Sequence, residues 1–250
     1  GKNQFYGLAV GFVVIAGGYG AGHMSGGCFN PAVAIVIDSA SAWLGVGWCV
    51  AYTFLEFVGA AIAANVFQAC RPEEKRQDDP APSPGNYDTR SRSLSEFLGT
   101  YMLVLTVGLN VLGGSKAPVW SIAVSLMCMI FALGTCSGAH FNPAVTVAIA
   151  VSGRNKIASS DVGKYIGVQL AGGICAALAY TVMESGQVFP LEPGAGHTWI
   201  SAYFLAMVFT FMVFTFMLPW RFLPMPYEYG GETLPRSRVP PAEAVHALSA

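Results

Sequence analysis

The chain has 250 residues, of which 54% are hydrophobic and only 11% are charged, and its formal net charge is −1. Charged residues make up about 25% of an ordinary soluble domain, so this composition excludes that class. It also argues against a nucleic-acid-binding protein, which needs a basic patch. A chain this apolar is typical of an integral membrane protein.

Six apolar runs are long enough, or nearly so, to cross the ~30 Å hydrocarbon core of a bilayer as helices. They cover residues 4–20, 43–69, 94–113, 118–135, 163–184 and 199–219. Two further apolar pieces, 30–39 and 142–151, would reach only ~15 Å as helices, which is half of the membrane. The sequence therefore predicts an all-α integral membrane protein with six transmembrane helices and two re-entrant half-helices.

Two polar, Pro-rich segments divide the chain. Residues 71–92 are predicted to be a disordered linker, and residues 222–250 a disordered tail, because neither segment can bury enough apolar surface to fold. The predicted organisation therefore has one repeat at 1–70 and a second repeat, extended by one helix, at 93–221.

The distribution of Lys and Arg predicts the orientation in the membrane. If the spans alternate, Lys116 stands alone on one side, and the other twelve of the 13 basic residues collect on the opposite side. Because positive loops stay in the cytoplasm, we expect the N-terminus, the linker and the tail to be cytoplasmic. The two half-helices then enter the membrane from opposite faces.

One phrase occurs twice. Residues 25–37 read SGGCFNPAVAIVI, and residues 137–149 read SGAHFNPAVTVAI. Asn is a favoured helix N-cap and Pro a favoured first helical residue, so each phrase predicts a helix start. Irregular backbone such as the Gly-rich lead-ins is tolerated at membrane depth only where it is packed in protein or lines a cavity.

Two half-helices that enter from opposite faces would meet at the membrane midplane, each with the positive end of its dipole. Such a site repels cations and protons and offers hydrogen bonds to polar molecules. The predicted pore motifs are Asn30, Pro31, Ala32, Asn142, Pro143 and Ala144.

These motifs and their flanking segments resemble the aquaporin, or major intrinsic protein, family. SLSEFLGTYMLVL, with Glu96 and Thr100, resembles the family's first helix, and SGAHFNPAVTVAIAVSGR resembles its first signature loop. KYIGVQLAGGICAAL resembles the next helix. GHTWISAYFLAMVFTFMVF resembles the fourth helix, although Ala206 stands where the family usually has Glu.

Residues 4–69 resemble the second half of the family fold, so the two halves stand in rotated order. The chain is then either a circular permutant or a window from a tandem array of such channels. The resemblance implies a lipid-embedded passive channel for water and small neutral solutes, assembled as a homotetramer.

The resemblance also places a selectivity filter, at Gly18, Gly27, Val33 and Ile122. The family usually has an Arg where Val33 stands, and an Arg supplies a fixed charge and several donors. Its loss, together with Gly18 and Ile122 in place of a His and an aromatic residue, implies a wide, apolar constriction. The expected cargo therefore includes solutes like glycerol or urea, with water.

Three polar residues in or beside the apolar segments need an interpretation. Glu96 is an intramembrane carboxyl and is expected to be a hydrogen-bonded support that holds the loop carbonyls. His140 resembles the family's loop His, and we expect it to pack against Glu96. Glu56 falls near Gln169 in the internal repeat, and a pore-facing and an inter-helix position are both open for it.

Two other functions stay open at this point. Inverted repeats with broken helices also build ion-coupled secondary transporters, although no paired intramembrane carboxylates are evident here. A non-conducting structural protein of the same fold is the second alternative, because Val33, Ile122 and Ala206 depart from the family pattern. An enzyme, a cofactor, a metal site and a nucleic-acid partner are not expected, since no matching motif occurs.

Overall fold

A computed structural model describes residues 5–44, 46–70 and 87–220, except for the side chains of residues 43 and 215–220. Over these residues the chain forms eight α-helices and no strand. They are α1 (Tyr6–Ser25), α2 (Pro31–Ala40), α3 (Trp48–Cys70), α4 (Thr89–Leu112), α5 (Pro118–Ser137), α6 (Pro143–Val151), α7 (Ser159–Met183) and α8 (Trp199–Trp220). The predicted fold, six long helices and two half-length ones, is confirmed.

The long helices suit a bilayer. Five of them, α1, α3, α4, α5 and α7, have 20 to 25 residues and are apolar enough to cross a membrane. Helix α8 has 22 residues and is apolar over Trp199–Phe214, where its side chains are described. Large apolar side chains face outward, as Val182 and Ile200 do at 80% and 81% exposure. Hydrocarbon is the surrounding that stabilises such a surface.

Two predicted boundaries were wrong. The first span was expected to end at residue 20, but α1 continues to Ser25, and Gly26, with φ 69°, ends it. Its interior glycines are tolerated because a neighbouring helix packs closely: a Cβ at Gly17 would lie 2.8 Å from the Phe209 ring. Tertiary packing here outweighs the low helix propensity of glycine.

The predicted linker, 71–92, also extends too far, since α4 already begins at Thr89. The Asp88 side chain caps this helix by accepting a hydrogen bond from the Ser91 backbone N–H at 2.8 Å. Hydrogen bonds from Ser91 hold the pKa of the Asp88 carboxyl below its usual range. The rest of the predicted linker, 71–86, and the predicted tail, 222–250, lie outside the described residues.

The long helices pack as two similar sets of three. Helix α4 packs against α7 and α5, and α8 packs against α3 and α1. Glycine allows the closest approaches: Gly172 on α7 meets the backbone of Phe97, and Gly59 on α3 meets that of Met207. The half-helices α2 and α6 each pack against both α3 and α7. This arrangement brings the two repeated phrases together in the centre.

Candidate pore

The two half-helices meet through a reciprocal pair of hydrogen bonds. The Asn30 Nδ2 donates to the Phe141 carbonyl at 2.9 Å, and the Asn142 Nδ2 donates to the Phe29 carbonyl at 3.0 Å. Each Asn Oδ1 accepts from the backbone N–H two residues later, Ala32 or Ala144, at 2.9 Å. The predicted N-cap role of both asparagines is therefore confirmed, and the N-termini of α2 and α6 face each other.

This bonding fixes the orientation of both side-chain amides. An amide nitrogen carries two hydrogens, and the Phe carbonyl of the opposite loop takes one of them. The second hydrogen on each of Asn30 and Asn142 remains available to a molecule beside it. Because two helix N-termini also converge here, the local field favours electron-rich groups over cations.

A cavity of about 530 Å³ leads to this meeting point. Its mouth lies at the C-terminal end of α1, near His23, and at the segment after α7, near Glu192. His23 and His197 pack edge to face there, with ring centroids 5.4 Å apart. At the other end the cavity reaches both Asn30 and Asn142.

All four positions that the resemblance assigned to the filter, Gly18, Gly27, Val33 and Ile122, line this cavity. The structure thus brings them to one site, and their role in selection stays a prediction. A Cβ at Gly18 would lie 2.6 Å from the Val119 side chain, so Val119 fills the space that a larger residue at position 18 would take.

Sequence reasoning missed Val119 and the 189–192 segment, both of which line the cavity. Val119 lies one helical turn before Ile122, and no motif marks it. Its position depends on how α5 is rotated against α1, which only tertiary packing decides. The 189–192 segment has no helical or motif signal at all.

The second re-entrant loop, residues 137–142, is held by Glu96. This carboxyl is fully buried and accepts four hydrogen bonds. Its Oε1 accepts from the Ser137 hydroxyl at 2.6 Å and the His140 N–H at 2.7 Å. Its Oε2 accepts from the Phe141 N–H at 2.7 Å and the Gln169 Nε2 at 2.8 Å.

Glu96 is therefore the hydrogen-bonded support that was expected, and it holds the loop through N–H groups of the peptides that carry the carbonyls. A carboxylate can only accept hydrogen bonds. The N–H and C=O of a trans peptide point in opposite directions, so the carbonyls of Ala139 and His140 point away from Glu96.

The second loop has an unusual backbone. Ala139 and Phe141 both have φ of 50°, in the left-handed region that non-glycine residues rarely occupy. The Phe141 ring packs into the space beside Gly99, which has no side chain to block it. The bonds from Glu96 to the loop stabilise this strained path.

His140 contacts Glu96 through its backbone, whereas its ring has other neighbours. The ring Nδ1 lies 3.1 Å from the Thr146 hydroxyl, and the ring packs edge to face on Tyr165 with centroids 5.1 Å apart. The residue also lines the cavity. His140 is thus in contact with Glu96, as expected, and its ring packs on Tyr165.

The first re-entrant loop, residues 25–30, repeats part of this pattern. The Tyr52 hydroxyl donates to the Ser25 carbonyl at 3.0 Å, as the Tyr165 hydroxyl does to the Ser137 carbonyl at 2.9 Å. Gly27 N–H donates to the Ser25 hydroxyl at 3.3 Å. This loop turns at Gly26 and Gly27, both with φ of 69°.

Glu56 is fully buried and is not among the residues that line the cavity. Of the two positions left open for it, the structure supports the inter-helix one. Neither of its carboxyl oxygens has a hydrogen-bond partner among the described residues.

Comparison with known proteins agrees with this geometry. The sequence model of the family described as Major intrinsic protein matches the chain twice, at residues 2–110 and 89–221. The chain is 38% identical to Probable aquaporin NIP4-2 of Arabidopsis thaliana over 109 residues, which cover 40% of this chain and 38% of that protein.

Two further relatives give similar figures. Aquaporin Z of Photorhabdus laumondii is 36% identical over 107 residues, covering 38% of this chain and 44% of that protein. Aquaporin NIP1-1 of Zea mays is 39% identical over 93 residues, covering 32% of each. The chain thus matches less than half the length of each of these relatives.

Proposed function

The chain belongs to the major intrinsic protein family and is a multi-pass integral membrane protein, and we propose that it forms a passive channel for water and small uncharged solutes. The observation that carries this proposal is the cavity of about 530 Å³, which leads from the mouth near Glu192 to Asn30 and Asn142. A path between the two half-helices is where a molecule would cross.

A solute in this path meets apolar walls on most sides and hydrogen-bonding groups on few. The second amide hydrogens of Asn30 and Asn142 donate to the solute's oxygen, and the carbonyl of His140, which lines the cavity, accepts from its hydroxyl or N–H groups. These groups replace part of the hydration shell that the molecule leaves behind. A cation finds the positive ends of α2 and α6 instead and is repelled.

The filter that we propose consists of Gly18, Gly27, Val33 and Ile122, with Val119 beside Gly18. No guanidinium narrows it, because Val33 stands at the position of the family's usual Arg. The wall is wide and apolar, so solutes of the size of glycerol or urea pass together with water. Glu96 and His140 support the second re-entrant loop behind this path.

The assembly and orientation form part of the same proposal. The N-terminus, the segment 71–88 and the 222–250 tail are cytoplasmic, because the basic residues gather on that side. The repeats at 1–70 and 93–221 stand in rotated order within the family fold. Each subunit of a homotetramer contains one pore.

The proposal is tested by stopped-flow light scattering on proteoliposomes that contain the chain. Water and glycerol permeability are compared for the wild type, Val33→Arg and Val33→Leu. We expect glycerol flow well above that of empty vesicles, and about tenfold less in Val33→Arg, because a guanidinium narrows the filter and adds a charge. Val33→Leu is the matched control, since it changes shape without adding charge or donors.

Other outcomes identify the alternatives. Water flow without glycerol flow would show that the filter is not wide. Uptake that depends on an ion gradient would identify a secondary transporter. A folded protein that passes neither water nor glycerol would be a structural protein of this fold.

A further inference from the structure

The half-helix α2 carries a buried carboxyl near its C-terminal end, that of Asp38, which is 1% exposed. A carboxylate in this place is unfavourable for two reasons. Burial removes it from water, and the C-terminal end of a helix carries partial negative charge. Asp38 is also not among the residues that line the cavity, so contact with a solute does not account for it.

Two backbone N–H groups at the start of α3 stabilise this carboxyl. Its Oδ2 accepts from the Gly47 N–H at 2.7 Å and from the Cys49 N–H at 3.2 Å. The Cys49 N–H lies in the first turn of α3, where backbone donors have no acceptor within the helix and the helix dipole is positive. Asp38 therefore joins the end of α2 to the beginning of α3.

The beginning of α3 is itself held by a second helix. Trp48 lies between Gly47 and Cys49, and its ring stacks on that of Trp199 at the start of α8, with centroids 3.6 Å apart and planes 4° from parallel. The carboxyl of Asp38 thus binds to a part of α3 that is packed against α8.

The other half-helix is held at the opposite end of α3 by a different group. Ala150 follows Asn142 on α6 as Asp38 follows Asn30 on α2, and it has no polar side chain. Instead the Gln68 Nε2, near the C-terminal end of α3, donates to the carbonyl of Val151, the last residue of α6, at 2.9 Å. Helix α3 therefore binds the C-terminal ends of both half-helices, one at each of its own ends.

A third contact of α2 is apolar. Val36 packs beside Gly173 on α7, where an added Cβ would lie 2.8 Å from the Val36 side chain. Apolar contact is non-directional, whereas hydrogen bonds depend on angle as well as distance. The bonds of Asp38 therefore restrict the rotation of α2 about its axis more than this packing does.

We propose that Asp38 is a positioning residue of the filter, which holds the C-terminal end of α2 on α3 and so fixes how Val33 and Ile37 face the cavity. Both of these residues line the cavity and lie about one helical turn apart. The N-terminal end of α2 is held at Asn30 by the bond to the Phe141 carbonyl. The filter role rests on the proposed channel function, whereas the hold on α2 does not.

Hydrogen–deuterium exchange of the α2 amides tests the hold without requiring a conducting pore. Amides within a helix exchange when the helix opens locally, so mass spectrometry of peptides that cover residues 34–40 reports how firmly α2 is held. Asp38→Leu keeps a similar volume and removes both bonds to α3. We expect the α2 amides to exchange about tenfold faster in this variant, because hydrogen bonds to a charged group are lost.

Asp38→Asn is the conservative variant that should rescue the hold. Only Oδ2 accepts the two bonds, and Oδ1 has no hydrogen-bond partner among the described residues. An Asn carbonyl oxygen in the place of Oδ2 therefore keeps both acceptor bonds. We expect the exchange of the α2 amides to stay within about twofold of wild type.

The ratio of glycerol to water permeability in proteoliposomes tests the consequence for the filter. A smaller amount of folded protein lowers both flows alike and leaves the ratio unchanged, whereas a displaced wall hinders the larger solute first. We expect the ratio to fall about threefold in Asp38→Leu, since pore diameter decides which solute passes, and to stay near wild type in Asp38→Asn.

Asp161→Leu is the matched control. Asp161 is a buried carboxyl in the first turn of α7, and it is bonded to Arg92 at 2.9 Å and to Lys164 at 3.0 Å. It joins α7 to α4 and, among the described residues, has no bond to α2. Its loss should leave both the exchange of the α2 amides and the permeability ratio unchanged.

If Asp38→Leu does not fold, Gly47→Ala disturbs the same contact from the α3 side. Gly47 has φ of 112°, and nothing lies within 4 Å of a Cβ added there. An L-residue is strained at this φ, so the N–H that Asp38 binds is displaced without a clash. Faster exchange of the α2 amides and a lower permeability ratio are expected here too.

Three outcomes would overturn the proposal. Wild-type exchange of the α2 amides in Asp38→Leu, or in Gly47→Ala where Asp38→Leu does not fold, would remove the hold on α2. Exchange in Asp38→Asn as fast as in Asp38→Leu would remove the acceptor role of Oδ2. Faster exchange with an unchanged permeability ratio in a conducting protein would remove the filter role.

The hold and the channel function fail in distinguishable ways. A protein that passes neither water nor glycerol, but in which Asp38→Leu accelerates exchange of the α2 amides, would sink the channel function and keep the hold. A conducting protein whose α2 exchange is insensitive to Asp38 would keep the channel function and sink the hold.

Discussion

Both re-entrant loops begin to turn at a glycine, Gly26 with φ of 69° and Gly138 with φ of 85°. The first loop continues through Gly27, with φ of 69°, whereas the second continues through Ala139 and Phe141, both with φ of 50°. Glycine adopts this conformation without strain, and Ala and Phe do so at a cost. The two loops still deliver their asparagines to the same meeting point. The two loops therefore place their asparagines alike although their backbones differ, since the second loop is strained and the first is not.

The balance is visible in the neighbours of each loop. The strained second loop has the four hydrogen bonds of Glu96, and its Phe141 ring sits against Gly99. In the unstrained first loop Ala206 takes the place of the carboxyl. Phe29 packs on Phe209, with ring centroids 5.5 Å apart, at the position that corresponds to Gly99. The first loop, whose backbone is not strained, therefore has apolar packing where the second loop has a hydrogen-bonded carboxyl.

The largest expected effect is the loss of Glu96. In Glu96→Gln the new amide nitrogen faces loop N–H groups that need an acceptor, so we expect the free energy of unfolding to fall by about 3 kcal/mol. Glu56→Gln, the same change behind the other loop, should cost less than about 1 kcal/mol, because neither oxygen of the Glu56 carboxyl has a hydrogen-bond partner among the described residues. Thermal unfolding in detergent measures the loss of stability in each variant. The ratio of the two losses then shows how much more the second loop depends on its carboxyl than the first loop does.

Equal destabilisation by Glu96→Gln and Glu56→Gln would contradict the comparison between the loops. It would mean that both loops depend on their carboxyls to the same degree.

The next effect concerns the two asparagines. Asn30→Ala and Asn142→Ala each remove a helix cap and one bond between the loops, which should cost about 2 kcal/mol per substitution. We expect water and glycerol flow to fall further in Asn30→Ala, because its loop lacks the support that Glu96 gives to the other. Proteoliposome permeability, with the variants reconstituted at equal density, measures the difference.

Asn65→Ala is the control for both variants. The side chain of this exposed Asn donates to the Ala61 carbonyl of its own helix, at 2.8 Å, and its loss should leave permeability unchanged. A larger loss of flow in Asn142→Ala than in Asn30→Ala would reverse the proposed order of loop stability.

Much of this arrangement follows from local sequence rules. The repeated Asn-Pro pair predicts where α2 and α6 begin, because an N-cap and a first-turn Pro act through their own backbone. A buried carboxyl at Glu96 predicts a hydrogen-bonded support, because an unpaired one would be unfavourable. Neither inference needs knowledge of distant contacts.

The features that sequence could not supply depend on how helices pack. The position of Val119 beside Gly18 is set by the rotation of α5 against α1. The choice between a pore-facing and an inter-helix Glu56 depends on the rotation of α3 against α8. Helical periodicity carries little information here, since a membrane helix is apolar on its lipid side and on its packed side alike.

The smallest effect concerns the backbone of the two loops. Gly27→Ala places an L-residue at φ 69°, which should cost about 1–2 kcal/mol; the new methyl lies 3.7 Å from the Gly22 Cα, an ordinary contact. Ala139→Gly removes strain but adds freedom to the unfolded chain, so its net effect should stay within about 1 kcal/mol.

Gly114→Ala is the matched control, since Gly114 has φ 60° and nothing lies within 4 Å of a Cβ added there. Gly27→Ala and Gly114→Ala should therefore lower thermal stability alike, and only Gly27→Ala should reduce glycerol flow, because only that methyl stands at the cavity wall. Equal glycerol flow in these two variants would remove Gly27 from the filter and would leave the difference between the loops a matter of stability alone.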